Sequence, residues 1–312
     1  MGNTVVILGI FVADTTYRAS HMPKMGETLI GDSFHLTPGG KGSNQAVASA
    51  RTGADTHFIT RLGDDDFAKM AGGIWSDAGV TPHITYDADS YTGAASVFIE
   101  SATGNNAIIV CPGAARQMTS EDCERHRTLI EEAGVFITQL EQPVDVAYEA
   151  LKMAHQAGVK TILNPAPAAL LPDDMLTFCD FITPNESEAE LLTGVAVHSV
   201  QDAENAARIL REKGAAAVLI TLGEMGALYQ DDRDSIHIPA IKAGPVAETT
   251  GAGDAFNGGF AAALASGMSA FDAALFGTAT AAISVTRAGT AASMPDKQEV
   301  MQLIAEQSHQ LS

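Results

Sequence analysis

The sequence predicts an α/β protein built on a mostly parallel sheet covered by helices on both faces, with a small antiparallel sheet added to it. Three observations carry this. Short β-branched runs without polar alternation each precede a helical pattern, which is how strands buried on both faces read. Several of the helical patterns stop at Gly, the usual left-handed helix terminus. Two further segments alternate with period two and have no helix between them.

In chain order, the strand-like runs are TVVILGI (4–10), HFITRL (57–62), GVFITQL (134–140), KTILN (160–164), DFITP (180–184) and AAVLITLG (216–223). The helical patterns are SNQAVASARTG (43–53), VDVAYEALKMAHQAG (144–158), NESEAELLTG (185–194) and AENAARILREKG (203–214). ETLIGDSFHLTPGG (27–40) and YTGAASVFIESATGNNAIIVCPG (91–113), the latter with a TGNN hairpin signal, form the added sheet. From Asp254 onward the pattern is mostly helical. A sheet so placed serves either as a lid over a pocket or as a dimer contact.

The 312 residues permit one large α/β domain or two modest ones, and 46% apolar residues supply a sizeable core. A net charge of −20 argues against nucleic-acid and anionic-membrane partners. No run of eighteen apolar residues suggests a membrane span. The opening MGNTVVILGIF lacks the basic start of a signal peptide. Cys111, Cys123 and Cys179 are few and widely spaced, as in a reduced cytoplasmic protein without a disulfide framework or zinc spacing. An anionic substrate must then be met by a local device that overrides the global field, such as a helix N-terminus with bare glycine amides.

TTGAGDAF (249–256) offers that device. Phe256, Phe260, Ala263 and Leu264 share one helical face, so a helix begins at about Gly251–Asp254. Its first amides lack intrahelical partners, and glycines there admit a ligand to the backbone. Asp254 lies where the potential is most positive, which favours its charged form; an aspartate in a first helical turn is also an ordinary preference. GGKGSNQA (39–46) again leads glycines into a helix, with Asn44 both donor and acceptor. It is not a P-loop, because no Gly lies five residues ahead of a GK[ST] pair, and the first strand lacks GxGxxG. TPNESEAE (183–190) sets Asn185 and Glu188 on one face of a helical start. TLGEMGA (221–227) closes a buried strand with glycines, where phosphate or adenine can lie against backbone. Ordinary alternatives are a solvated surface lysine for Lys41 and a helix-surface charge for Glu188.

Taken in order, GGKGSNQA, QLE, NPAP, TPNE, TLGEMGA and TTGAGDAF resemble the ribokinase (PfkB) family of carbohydrate kinases, from Val5 to about Pro295. The resemblance implies a single ribokinase-like domain over 1–312, a three-layer doubly wound mostly parallel sheet, with lid segments at about 13–38 and 91–112. It implies an ATP-dependent kinase acting on the primary hydroxyl of a pentose, D-ribose to ribose 5-phosphate. Asp254 would be the general base, and the amides of Gly251, Ala252 and Gly253 the anion hole, as phosphoryl transfer requires positioning and charge neutralisation. Val12, Asp14, Gly40, Lys41, Gly42, Ser43, Asn44 and Glu141 match the positions around the sugar. Asn185, Thr221, Leu222, Gly223, Glu224, Met225, Gly226, Gly253 and Thr278 match those around ATP. Glu188 would hold Mg²⁺ through water, and Glu248, Thr250, Ser284, Arg287, Gly289 and Ser293 a monovalent cation, K⁺. The resemblance further implies a cytoplasmic homodimer joined through the lid.

Three positions depart from the family pattern. In GIFVAD (9–14), Val12 replaces the usual Asn, an apolar choice also made by deoxyribokinases. A site built to bind a hydroxyl discriminates strongly against its absence, whereas an apolar site rejects an added hydroxyl only by roughly 10²-fold, so relaxed ribose preference is expected. Glu248 replaces Asp at the cation site, and Thr278 replaces His near the adenine. A phosphofructokinase-like activity would need more basic residues than Lys41. A non-catalytic nucleotide-binding regulator would have lost Asp254 or the glycines. The nine histidines contain no HExxH, against a histidine-based metalloenzyme.

Overall fold

The computed structural model describes residues 2–310; Met1, Leu311 and Ser312 of the expected domain lie outside the described residues. Each strand and helix expected from the hydrophobic runs is found, with ends shifted by up to three residues. The chain begins β1 (Thr4–Leu8), β2 (Val12–Ala19), β3 (Ser33–Gly39), α1 (Lys41–Arg51), β4 (Asp55–Gly63), α2 (Asp66–Ala78) and β5 (Thr81–Asp87). It continues β6 (Thr92–Glu100), β7 (Asn106–Gly113), α3 (Ser120–Glu124), α4 (Arg127–Glu131), β8 (Val135–Thr138), α5 (Val144–Gln156), β9 (Lys160–Leu163) and β10 (Phe181–Ile182). The remainder is α6 (Glu186–Thr193), α7 (Val200–Glu212), β11 (Ala217–Thr221), β12 (Ala227–Gln230), β13 (Ser235–Ile238), α8 (Ala252–Ala265), α9 (Ala270–Ser284) and α10 (Lys297–Gln310).

Nine strands form the main sheet, in the order β13-β12-β11-β10-β9-β8-β1-β4-β5, parallel except for the terminal pairings of β12 and β13. The absence of polar alternation has a direct cause. In β1, Val5 and Ile7 enter one core layer with Phe58, Trp75, Phe256 and Phe260, while Val6 and Leu8 enter the other with Phe136, Leu151 and Leu163. Both faces are covered, so Val5 to Leu8 are all apolar. The chain leaves β1 for neighbours on either side, and a crevice opens at the carboxyl ends of the parallel strands, where such sheets bind ligands.

The second sheet, β3-β2-β6-β7, is antiparallel in its outer pairs and parallel where β2 meets β6. The roots of β6 and β7 converge on the end of β4, while β2 follows β1 and β3 leads into α1. The Arg61 guanidinium donates to the Gln117 carbonyl (2.8 Å) and pairs with Asp122 and Asp87, both at 3.3 Å. Gly63 N–H donates to the Thr92 hydroxyl (3.0 Å), and Thr92 N–H donates to Asp65 (2.8 Å). The start of β6 and the end of β7 are thus tied to one spot.

α1 and α8 pack in closest approach at Gly258, where an added Cβ would lie 2.5 Å from the Gln45 carbonyl and from Ala48 Cβ. Replacing Gly258 with Ala should therefore destabilise the fold by about 1–3 kcal/mol through overpacking, read from urea unfolding. Unchanged stability would show that the two helices are free to move apart.

Candidate active site

α1 and α8 both start at the crevice, and both start on glycine. Gly40 (φ 90°) and Gly251 (φ 84°) cap them with no side-chain hydrogen bond, whereas α2, α6, α7 and α9 are closed by Asp65, Asn185, Ser199 and Ser269. Side chains are excluded at Gly40, since a Cβ would lie 2.5 Å from the Ile10 carbonyl. Gly39 and Gly42 are pressed against the Asp14 carboxylate and Gly9 Cα respectively. Gly253 is different: its Cβ would meet nothing within 4 Å, so its hydrogen faces open space.

Asp254 is the third residue of α8 and is 7% exposed. Its Oδ2 accepts from Asn44 Nδ2 (2.9 Å) and its Oδ1 from Gln45 Nε2 (3.2 Å). Burial pushes its pKa up, opposed by the Lys41 ammonium and by the two amides. The net direction is upward, because burial, which the expectation from the helix terminus left out, outweighs the groups that favour the charged form. Around Asp254, a cleft of about 150 Å³ is lined by Lys41, Asn164, Asn185, Glu188, Thr221 and Gly253, among others. Lys41 is therefore a cleft residue and not a solvated surface lysine. Burial alone would lower its pKa, but Asp254, Glu141 and Glu188 outweigh that and raise it.

Of the anion-hole amides, Ala252 N–H donates to the Thr249 carbonyl (3.2 Å) and is not free. Among the described residues, the N–H groups of Gly251 and Gly253 have no acceptor. Asn44 brings a further open valence: its Oδ1 is buried without a partner.

The other sugar-side candidates divide. Asp14 lies near enough to Glu141 to raise it, and burial raises Asp14 to about 6. Glu141 rises to about 7, mainly by burial against the pull of Lys41, and its Oε2 accepts the Lys41 N–H (2.7 Å), capping α1 from outside. Ser43 does not reach the cleft: its side chain is fully buried and accepts from Trp75 Nε1 (2.9 Å), because it falls on the core face of α1. Val12 is 4% exposed and packs with Ile10 and Ala115 in a small apolar cluster.

Of the candidates expected around ATP and Mg²⁺, Asn185 and Glu188 form a reciprocal capping box on α6. Glu188 N–H donates to Asn185 Oδ1 (2.8 Å) and Asn185 N–H to Glu188 Oε2 (2.9 Å). Glu188 is 7% exposed, far from an ordinary surface charge, and burial raises its pKa. Thr221 bridges Asn185 at the end of β11, and Leu222, Gly223, Glu224, Met225 and Gly226 make a tight turn into β12. Thr278 is buried in α9, its hydroxyl given to the Ala274 carbonyl (2.9 Å). Among the described residues no group of three or more His, Cys, Asp or Glu could enclose a metal ion.

The cation-site candidates lie around the loop after α9. Glu248 Oε2 accepts Gly289 N–H (2.8 Å), Arg287 N–H donates to the Ser284 carbonyl (3.1 Å), and Ser293 Oγ donates to the Thr290 carbonyl (2.8 Å). The Arg287 guanidinium is turned to Glu299. Thr250 is exposed on the turn before Gly251, which itself abuts Thr290.

Sequence reasoning passed over Gln45, Gln139, Asn164, Thr183 and Asn257, a buried chain of amides and a hydroxyl behind Asp254 and Gly253. Their signal was present: polar residues in runs otherwise read as core.

The family model for pfkB family carbohydrate kinases matches residues 3–297. The chain is 38% identical over 305 residues to a ribokinase of Haemophilus influenzae, covering 97% of this chain and 99% of that one. It is 34% identical over 293 residues to a deoxyribokinase of Salmonella typhi, covering 93% and 95%. The structure of Arabidopsis thaliana ribokinase complexed with ribose and ATP superposes with a TM-score of 0.90 at 31% identity, covering 97% of this chain and 99% of that one.

The raised carboxyls make stability depend on pH. Asp14 binds its proton more tightly folded (about 6) than unfolded (about 4). Its contribution is therefore greatest below the unfolded value and is lost as pH rises through about 6. Asp14→Asn removes that loss, so its Tm relative to the unmodified protein should climb between pH 5 and pH 8 in the absence of ligands; a flat difference would contradict this burial effect.

Proposed function

The chain belongs to the pfkB family of carbohydrate kinases and is thus a phosphotransferase acting on a sugar, and on that premise we propose that it transfers the terminal phosphoryl group of ATP to the primary hydroxyl of D-ribose, giving ribose 5-phosphate. One observation supports this most: a carboxylate with both oxygens held by amides, beside free helix amides and an unpartnered Asn44 carbonyl oxygen. Asp254 accepts the proton of the attacking hydroxyl, as a base must be ionised and within reach. The Gly251 and Gly253 amides, with the positive end of α8, stabilise charge on the group in transit. Asp14, Asn44 and Glu141, with Lys41, orient the sugar, and the Asn44 oxygen accepts one of its hydroxyls. Thr221 to Gly226 flank the nucleotide with Asn185.

Glu188 has one oxygen outside the capping box, and no all-protein cage is present among the described residues. This fits Mg²⁺, which keeps several waters and binds through one or two carboxylates plus substrate phosphates. When bound, it neutralises phosphate charge. K⁺ in the Glu248–Ser293 loop would order the turn leading to Gly251; the tie from Glu248 to Gly289 supports only the loop. Free cysteines without a disulfide agree with a cytoplasmic location, and among the described residues no helix is long and apolar enough to cross a membrane.

A second reading, a deoxyribokinase, is favoured by Val12, an apolar residue at the position that the family resemblance sets beside the sugar, and by the likeness to a deoxyribokinase. A coupled ADP-release screen over ribose, deoxyribose and hexoses, with and without K⁺, separates these. Ribose should lead by less than about a hundredfold over deoxyribose. Asp254→Asn should lose at least 10³-fold in kcat, and Gly253→Ala, which adds a methyl only to open space, should lose activity without losing Tm. Turnover by Asp254→Asn at the unmodified rate would remove the base assignment.

The lid supports a homodimer. By register Tyr17, Phe34, Leu36 and Ile109 share the face opposite Asp14, and they are 43–62% exposed. Ile109→Glu should shift sedimentation from dimer to monomer; a monomeric unmodified protein would end this reading.

A further inference from the structure

The Asp254 carboxylate is held from behind by an amide whose orientation is itself fixed. Gln45 Nε2 has two hydrogens and faces two acceptors, Asp254 Oδ1 (3.2 Å) and Asn164 Oδ1 (3.0 Å). Its Oε1 accepts from Gln139 Nε2. Turning the amide over would set its oxygen against two other oxygens, so the donor end points at Asp254 in the only satisfied arrangement. Asn164 is oriented in turn by donating to the Thr183 carbonyl (3.1 Å). Gln45 and Gln139 are fully buried and Asn164 is 6% exposed, so water does not substitute for any of these bonds. The platform is rigid too, since α1 meets α8 at Gly258 directly against the Gln45 carbonyl.

A carboxylate held at one oxygen still turns about its Cβ–Cγ bond, because that torsion is broad. Asn44 holds Oδ2 alone; Gln45 on Oδ1 supplies the second point that fixes the plane. We infer that Gln45 is a positioning residue for phosphoryl transfer, fixing through its amide the plane in which Asp254 presents its oxygens to the sugar hydroxyl. The inference rests on the reading of Asp254 as the base. A purely structural Gln45, a polar core residue satisfied by its neighbours, makes a different prediction: its loss would lower activity by the same factor whether or not residue 254 is a carboxylate.

The test is a double-mutant cycle on the full chain, with ribose and Mg·ATP as substrates. Gln45→Met keeps the length and removes the amide. It should lower kcat about 10- to 100-fold, the rate equivalent of one lost hydrogen bond to a charged group, with KM for ribose within about threefold. In the Asp254→Asn background the same change should cost less than about twofold more. Should Gln45→Met fail to fold by thermal melting, Gln139→Met takes its place; removing the donor that orients Gln45 should give a smaller loss, about 3- to 10-fold, likewise absorbed by Asp254→Asn. Unchanged kcat in the folded variant, or a full multiplicative loss on top of Asp254→Asn, overturns the positioning role while leaving the base intact. Normal turnover by Asp254→Asn overturns the base assignment and this inference with it.

Discussion

A carboxylate in the gap between two helices is costly to charge, and the arrangement around Asp254 answers that cost. Burial disfavours its ionised form, while the Lys41 ammonium and the Asn44 and Gln45 amides favour it. Lys41 is shared, however, because Glu141 and Glu188 draw on the same ammonium and Asp14 adds to the crowd. One cation among four acids leaves the resting site proton-hungry, with Asp14 and Glu141 titrating near neutrality. On the proposed reading, a chain of net charge −20 meets an anionic donor with main-chain N–H groups and with the metal that accompanies the nucleotide, beside the single Lys41 ammonium.

The glycines of the two motifs do unlike things. Gly40 and Gly42 let strand and helix backbones approach, and Gly39 leaves room for Asp14. Gly251 takes a left-handed conformation that starts α8 without a capping side chain. Gly253 alone borders empty space, so its lack of a side chain serves whatever binds there. The two glycine motifs therefore differ: GGKG is a set of close backbone joints, while TTGAGDAF joins a helix start at Gly251 to an open face at Gly253.

Much of the fold was legible because strands of the parallel sheet are apolar on both faces, and such runs stand out without alignment. What escaped notice lacks that contrast. α2 carries Gly72 and Gly73 in its middle, β5 contains Pro82 and lies at the sheet edge, and α3 and α4 are five residues each. β2 joins β6 in parallel, a pairing between distant segments that period-two alternation does not encode. At the site, the residues at helix starts were found because their chemistry is local. Gln45, Gln139 and Asn164 were not, because an amide's partner 94 to 119 positions away leaves no trace in spacing. Ser43 misled for a related reason: it sits within a glycine motif, yet the turn of α1 sends its hydroxyl to Trp75.

The convergence of the β6 and β7 roots on the end of β4 anchors one side of the small sheet. With Arg61 gripping Asp87 before one strand and Gln117 after the other, sliding the flap sideways would break several charge-assisted bonds together. The other side of the sheet is continuous with α1, since β3 runs through Gly39 and Gly40 into Lys41, and the Thr290 hydroxyl donates to the Pro38 carbonyl (2.8 Å). Displacing β2 and β3 would therefore act directly on the start of the helix that carries Lys41, Asn44 and Gln45.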